Sequence, residues 1–171
     1  MPPELDPIGQ ALSASLPDGF RLRGECEADL PFLRGLYAST RAGELEALPW
    51  TVEQRSAFLD EQFHLQRRHY RTHYAEAGFW VLESDSGPVG RVYVHASRTE
   101  LRLMDIALVP ALRGRGIGTA LILALQVGAR ASGRCIGLHV EPGNPALRLY
   151  ARLGFRHVED RGAYRFLQWF Q

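Results

Sequence analysis

Cysteine, net charge and long apolar runs are all scarce in this sequence of 171 residues. Its two cysteines, Cys26 and Cys135, stand far apart with no Cys-x-x-Cys or other ligand-like spacing. That excludes a disulfide framework and a cysteine-built metal site, so reduced thiols in a cytoplasmic protein are the expectation. A formal charge of +1 supplies no field for gathering polyanions, which argues against nucleic acid or an acidic membrane surface as partners. The longest apolar stretch, near Ile117 to Val127, is interrupted by Thr119 and Gln126 and is too short to span a bilayer. The first ten residues carry Pro2, Pro3, Glu4 and Asp6, without the basic and apolar regions of a signal peptide. Residues 1–17 are expected to be a loose segment ahead of one domain over residues 18–171.

What is present is a change of period along the chain. Phe20-Arg21-Leu22-Arg23 alternates as a half-buried strand does, and Asp29-Leu30-Pro31 predicts a helix start, with the helix fading near Ala42-Gly43. Thr51 and Gln54 have capping-box spacing and predict a second helix running towards Tyr74. Its Arg55, Arg67, Arg68 and Arg71 form a basic side expected to be solvated. His69 and His73 stand four apart on it, but with no third ligand they predict no metal site. From Phe79 the pattern becomes strand-like, with a hairpin around Ser84 to Gly87, a strand from Leu101 to Val109, an apolar helix after Gly118 and a strand from Arg134 to Val140. A short helix from Asn144 to Leu153 and a closing hairpin with Tyr164, Phe166, Trp169 and Phe170 complete the order. Strands joined first by hairpins and then by helices predict an α/β chain, a mixed sheet covered on both faces.

The densest chemical signal is Leu108-Val109-Pro110-Ala111-Leu112-Arg113-Gly114-Arg115-Gly116-Ile117-Gly118-Thr119, where a strand ends, three glycines turn the chain and a helix begins. The free N–H groups of a first helical turn carry the positive end of the helix dipole, and glycine lets a ligand approach them closely. Guanidinium groups from Arg113 and Arg115 and a hydroxyl from Thr119 suit a pyrophosphate. The spacing is neither a Walker A loop nor GxGxxG.

Arg113 to Gly118 resembles the Arg/Gln-x-x-Gly-x-Gly/Ala signature of the GNAT superfamily of acetyl-CoA-dependent acetyltransferases, and Asn144 to Phe155 resembles that family's second motif. The resemblance implies a mostly antiparallel sheet of six to seven strands, splayed between the strands ending at Val109 and Val140, with the pantetheine arm of acetyl-CoA in the gap. Ile106, Ala107 and Leu108 would offer backbone groups to the arm, Arg113, Gly114, Arg115, Gly116, Ile117, Gly118 and Thr119 would hold the pyrophosphate, and Asn144 would bond the arm. No metal is implied.

Amine acylation needs a base for the amine and an acid for the departing thiolate. By the same resemblance Tyr150 is the acid, its phenol being protonated at neutral pH. Where several family members carry a strand glutamate, this chain reads Leu138-His139-Val140, leaving His139 as candidate base and Asp105 and Glu141 as rivals. The acceptor is expected to be the amine of a small molecule or peptide, approached in a ternary complex, and the protein a monomer or homodimer. A binding module without turnover is the competing reading. A third reading pairs the aromatic tail with a second copy of the chain.

Overall fold

The computed structural model describes residues 1–171. Seven strands, β1 (Phe20–Gly24), β2 (Gly78–Ser84), β3 (Gly87–Ala96), β4 (Glu100–Leu108), β5 (Cys135–Val140), β6 (Arg156–Arg161) and β7 (Tyr164–Trp169), build one sheet. Its order is β1-β2-β3-β4-β5-β7-β6. Every neighbouring pair is antiparallel except β4 with β5, which are joined by the crossover helix α4 (Ile117–Ser132).

Helices α1 (Pro7–Ala14), α2 (Leu30–Glu46), α3 (Val52–His73) and α5 (Leu147–Arg152) complete the fold. The alternation of side chains along β2 explains why both faces are covered. Trp80 and Leu82 join the main core with Leu12, Leu121, Ile122 and Tyr150, whereas Val81 packs with Leu33, Tyr37 and Phe63 from α2 and α3 on the other side. The closing aromatics also divide. Phe166 and Trp169 are buried, while Tyr164 and Phe170 stay exposed.

Three boundaries correct the sequence expectations. The segment 1–17 is not loose: Asp6 caps α1 by accepting a hydrogen bond from the Gly9 amide, and Leu12 is only 2% exposed. Helix α2 runs through Gly43 to Glu46. A glycine inside a helix costs about 1 kcal/mol relative to alanine, less than the burial of Leu45, 6% exposed, returns on the far side. At the start of α2, Asp29 does not cap with its side chain. Its carboxylate is bonded instead to Arg23 at 2.6 and 2.7 Å and to the Cys26 amide. The capping box of Thr51 and Gln54 is formed at the start of α3 as the spacing predicts.

The α3 face towards the sheet holds a buried charge cluster. Glu25, whose side chain has no exposed surface, is ion-paired with Arg67 and Arg71 from α3 and accepts a hydrogen bond from the Tyr93 hydroxyl on β3. Arg67 and Arg71 are therefore not a solvated basic side; they clamp α3 onto the sheet. Burial alone would raise the Glu25 carboxyl, but the bonds from Tyr93, Arg67 and Arg71 outweigh it and hold it below its ordinary 4.5. Arg23 does the same for Asp29, below its ordinary 3.8. Both groups are depressed in the folded state, so their stabilisation is complete above the unfolded values and is lost as pH falls through the folded ones. Thermal melts should accordingly show Tm falling as pH drops below about 4.5, and replacing Glu25 by Gln should flatten that limb.

Candidate functional site

The parallel pair β4–β5 holds together for three residue pairs only, Glu100↔Cys135, Leu101↔Ile136 and Arg102↔Gly137. Beyond Arg102 the strands separate, and the groups of β4 that face β5 lose their strand partner. A bulge contributes to the divergence. Tyr93 opposes Asp105 and Val94 opposes Leu103, so Met104 is an extra residue on β4, and such an insertion bends the strand that carries it. The Tyr70 hydroxyl on α3 donates to the Met104 carbonyl at 3.2 Å.

The separation opens a cleft of ≈ 750 Å³, bounded by α2 (Tyr37, Arg41, Glu44), by α3 (Gln66, His69, Tyr70) and by the exposed strands. Ile106, Ala107, His139, Asn144 and Tyr150 line it, as do Asp105 and Glu141. Leu108 and the residues from Arg113 to Thr119 are not among its walls; they lie at the C-terminal end of β4, where the gap is open.

At that end the chain turns through Gly114 at φ 72° and Gly116 at φ 84°. A Cβ at either position would meet nothing within 4 Å, so glycine is required there by backbone conformation and not by neighbouring atoms. Gly118 is different. Its φ is not in the left-handed region, and an added Cβ would make one ordinary contact with Leu149 at 3.6 Å, so nothing in the fold demands glycine on this first helical turn. Gly116 provides no side-chain cap to α4, and the first intrahelical bond is donated by Ala120 to the Gly116 carbonyl. The amides of Ile117, Gly118 and Thr119 thus point outward without acceptors, over a surface kept bare by Gly118. This is the geometry of an anion site that admits a bulky ligand.

Arg113 and Arg115 are placed differently. The Arg113 guanidinium donates to the Leu108 carbonyl at 3.0 Å and to Ser39 Oγ at 3.1 Å, tying the strand end to α2, while Arg115 is exposed and makes no side-chain bond within the protein. The Leu108 carbonyl, one of the backbone groups expected near the arm, therefore already accepts one bond, from Arg113. Asn144 uses its Oδ1 to accept from the Ala146 amide at 2.8 Å, an Asx-type bond ahead of α5, which leaves its amide nitrogen free.

Tyr150 is 6% exposed, edge-on to Phe155 at 5.6 Å, and its hydroxyl makes no bond within the protein although it lines the cleft. Burial first, and the nearby Asp105 charge second, push its phenol well above the ordinary value; it is a proton holder throughout the physiological range. His139 lies in the same cleft. Its Nδ1 faces Arg102 at 3.4 Å and its Nε2 faces Arg161 at 3.3 Å, and burial together with those two cations lowers its pKa. Asp105 is engaged by the buried Arg91 at 2.7 Å. Glu141 is the rival whose carboxylate has no protein partner. Cys135 sits at the start of β5 with its thiol against the Thr99 carbonyl, outside the cleft.

Comparison with known proteins places this geometry among relatives. Residues 75–157 match the model of the acetyltransferase (GNAT) domain. The chain is similar to an uncharacterized N-acetyltransferase of Methanocaldococcus jannaschii, 37% identical over 93 residues, which span 49% of this chain and 41% of that protein. The crystal structure of PaiA N-acetyltransferase from Thermoplasma acidophilum in complex with coenzyme A superposes with a TM-score of 0.68 at 16% identity, over 89% of this chain and 99% of that one. Arabidopsis thaliana Naa50, in complex with the bisubstrate analogue CoA-Ac-MVNAL, superposes with a TM-score of 0.59 at 16% identity, over 90% and 99% of the two chains. At such identities these likenesses speak to the fold: the mixed sheet, its open gap and its flanking helices.

Proposed function

We propose that the chain, whose residues 75–157 match the acetyltransferase (GNAT) domain, transfers an acyl group from acetyl-coenzyme A to a primary amine, directly and within a ternary complex. The observation that carries this reading is the outward-pointing amide set of Ile117, Gly118 and Thr119 at the open end of the β4–β5 gap. Gly118, unexplained by the fold, supplies the room a pyrophosphate needs. Coenzyme A bound to a neighbour of the same fold supports the choice of ligand.

Bound acetyl-CoA supplies the thioester; the chain supplies position and protons. The helix mouth binds the pyrophosphate, and the unpaired edge of β4 around Ile106 and Ala107 offers backbone groups to the arm. Asn144 has its amide nitrogen available for the same arm. Tyr150 holds a proton at Oη in a buried setting that opposes its loss, and delivers it to the departing sulfur. The proton leaving the amine has an uncommitted acceptor in Glu141. His139 is kept neutral by burial and by Arg102 and Arg161, which lower its pKa, and both of its ring nitrogens already face guanidinium donors. Cys135 has no access to the cleft, which favours direct attack over an acyl-enzyme.

Thiol release from acetyl-CoA with a panel of amines tests the proposal. It should rise on adding an acceptor; the 20 basic side chains are all arginine, so no lysine amine of the chain itself competes. Replacing Gly118 by Val should leave the fold unchanged and weaken CoA binding at least about tenfold, the equivalent of one charge-assisted hydrogen bond. Calorimetry on the variant reads this directly, and unchanged affinity would remove the cradle assignment.

A further inference from the structure

We propose that Arg102, His139 and Arg161, gathered over Phe166 at the root of the β4–β5 gap, form a subsite for a carboxylate carried by the acceptor. The inference rests on the acyl-transfer reading and names the class of amine it serves: amino acids or peptides with an acidic group near the reacting nitrogen.

The topology brings the three side chains together. Arg102 is the last residue of β4 still paired with β5, His139 lies two residues past its partner Gly137, and His139 directly opposes Phe166 on β7. Arg161 closes β6 at the hairpin end. Phe166, 3% exposed, is the platform. The Arg161 guanidinium lies 3.9 Å and that of Arg102 5.4 Å from its ring centre, with the imidazole at 5.0 Å and 34°.

The hydrogen-bond count at this cluster does not balance. Glu100 neutralises the Nε and Nη2 side of Arg102, and Glu159 takes the Nε of Arg161. The Nη1 groups of both arginines turn to His139, one to each ring nitrogen. A neutral imidazole has one N–H and one lone pair, so one of these contacts sets a donor against a donor. An oxygen anion entering here would satisfy the surplus from two cations on an aromatic platform, the arrangement guanidinium groups use for carboxylates. Coenzyme A does not serve this site through its pyrophosphate. Arg102 lies six residues along β4 from Leu108, roughly 20 Å of extended strand from the cradle. Arg102, His139 and Arg161 share the cleft with Tyr150, which places the anion on the acceptor side.

Two measurements on the full chain separate this inference from the reading beneath it. Succinate, added without acetyl-CoA, should shift the His139 ring resonances saturably in NMR spectra, while succinamide should not. Arg161→Gln should weaken the succinate effect about tenfold; Arg161 is 44% exposed and its partner Glu159 51%, so this variant is expected to fold. In thiol-release assays the C-terminally amidated dipeptides Ala-Asp and Ala-Glu should exceed Ala-Asn and Ala-Gln about tenfold in kcat/KM, and Arg161→Gln should bring the ratios towards one. Equal rates within each pair, or ratios untouched by Arg161→Gln, would overturn the subsite while leaving acyl transfer intact. A succinate response without thiol release from any acceptor would leave the anion site standing and remove the acyl-transfer reading.

Discussion

Tyr150→Phe is expected to lower kcat by about two orders of magnitude, the lower end of what a positioned general acid contributes, with CoA affinity and melting temperature unchanged. The phenylalanine keeps the edge contact with Phe155 and the place in the main core; only the hydroxyl is lost, and it has no protein partner whose bond would break. Because burial and Asp105 hold the phenol protonated, the wild-type rate should show no alkaline-limb loss from this group in the neutral range, and removing the hydroxyl should reduce kcat evenly across neutral pH. Acceptors whose rate is limited by amine deprotonation will show less of the effect. A variant as fast as wild type across pH would transfer the acid role to water.

Glu25→Ala should destabilise the protein by about 3 kcal/mol, because removing one partner of a buried ion pair leaves the other charges uncompensated. The estimate sits at the low end of that range since Arg71, 43% exposed, can turn to water. For a chain of this length the loss corresponds to a Tm lower by roughly 6 to 12 °C. Glu25→Gln keeps the shape and one acceptor and should cost less. The functional consequence is specific to one side of the cleft. Arg67 and Arg71 fix α3, and α3 contributes Gln66, His69 and Tyr70 to the cleft wall proposed to receive the acceptor. Acceptor KM should rise in a variant still folded at the assay temperature, while CoA affinity, set at the mouth of α4, should not move. Parallel losses on both sides would mean that the cluster supports the whole sheet and not the acceptor wall.

The glycine turn, the capping box of Thr51 and Gln54 and the order of hairpins and crossover were legible in the sequence because each is a local pattern, set by a few neighbouring residues. The long-range contacts that shape the cleft and fix α3 beside it were not. Glu25, Arg67 and Tyr93 meet across 42 and 68 positions of sequence, and a helix rich in arginine reads as solvated until the carboxylate beneath it is seen. The bulge at Met104 leaves no composition signal of its own. The turn alone predicts Arg113 beside a phosphate, and nothing local announces the bonds that its Nε and Nη2 donate to the Leu108 carbonyl and Ser39 Oγ. His139 stood out as a lone strand histidine, but only the fold brings Arg102 and Arg161 to its two nitrogens. Glu141 had no local pattern to separate it from a solvated loop carboxylate, and the signal that now does so is the absence of a partner within the cleft. At the N-terminus, Pro2 and Pro3 suggested a loose segment, whereas Asp6 followed by Pro7 is an N-cap and first-turn proline that predicts the observed α1.

The central claim is that backbone amides at the start of α4 hold the pyrophosphate of coenzyme A, and amide chemical shifts measured while the full chain is titrated with CoA test it most directly. The account predicts saturable binding with the largest displacements at Gly114 to Thr119, followed by residues along the unpaired edge of β4. Saturation with those amides unmoved, or no binding at millimolar CoA, would contradict it.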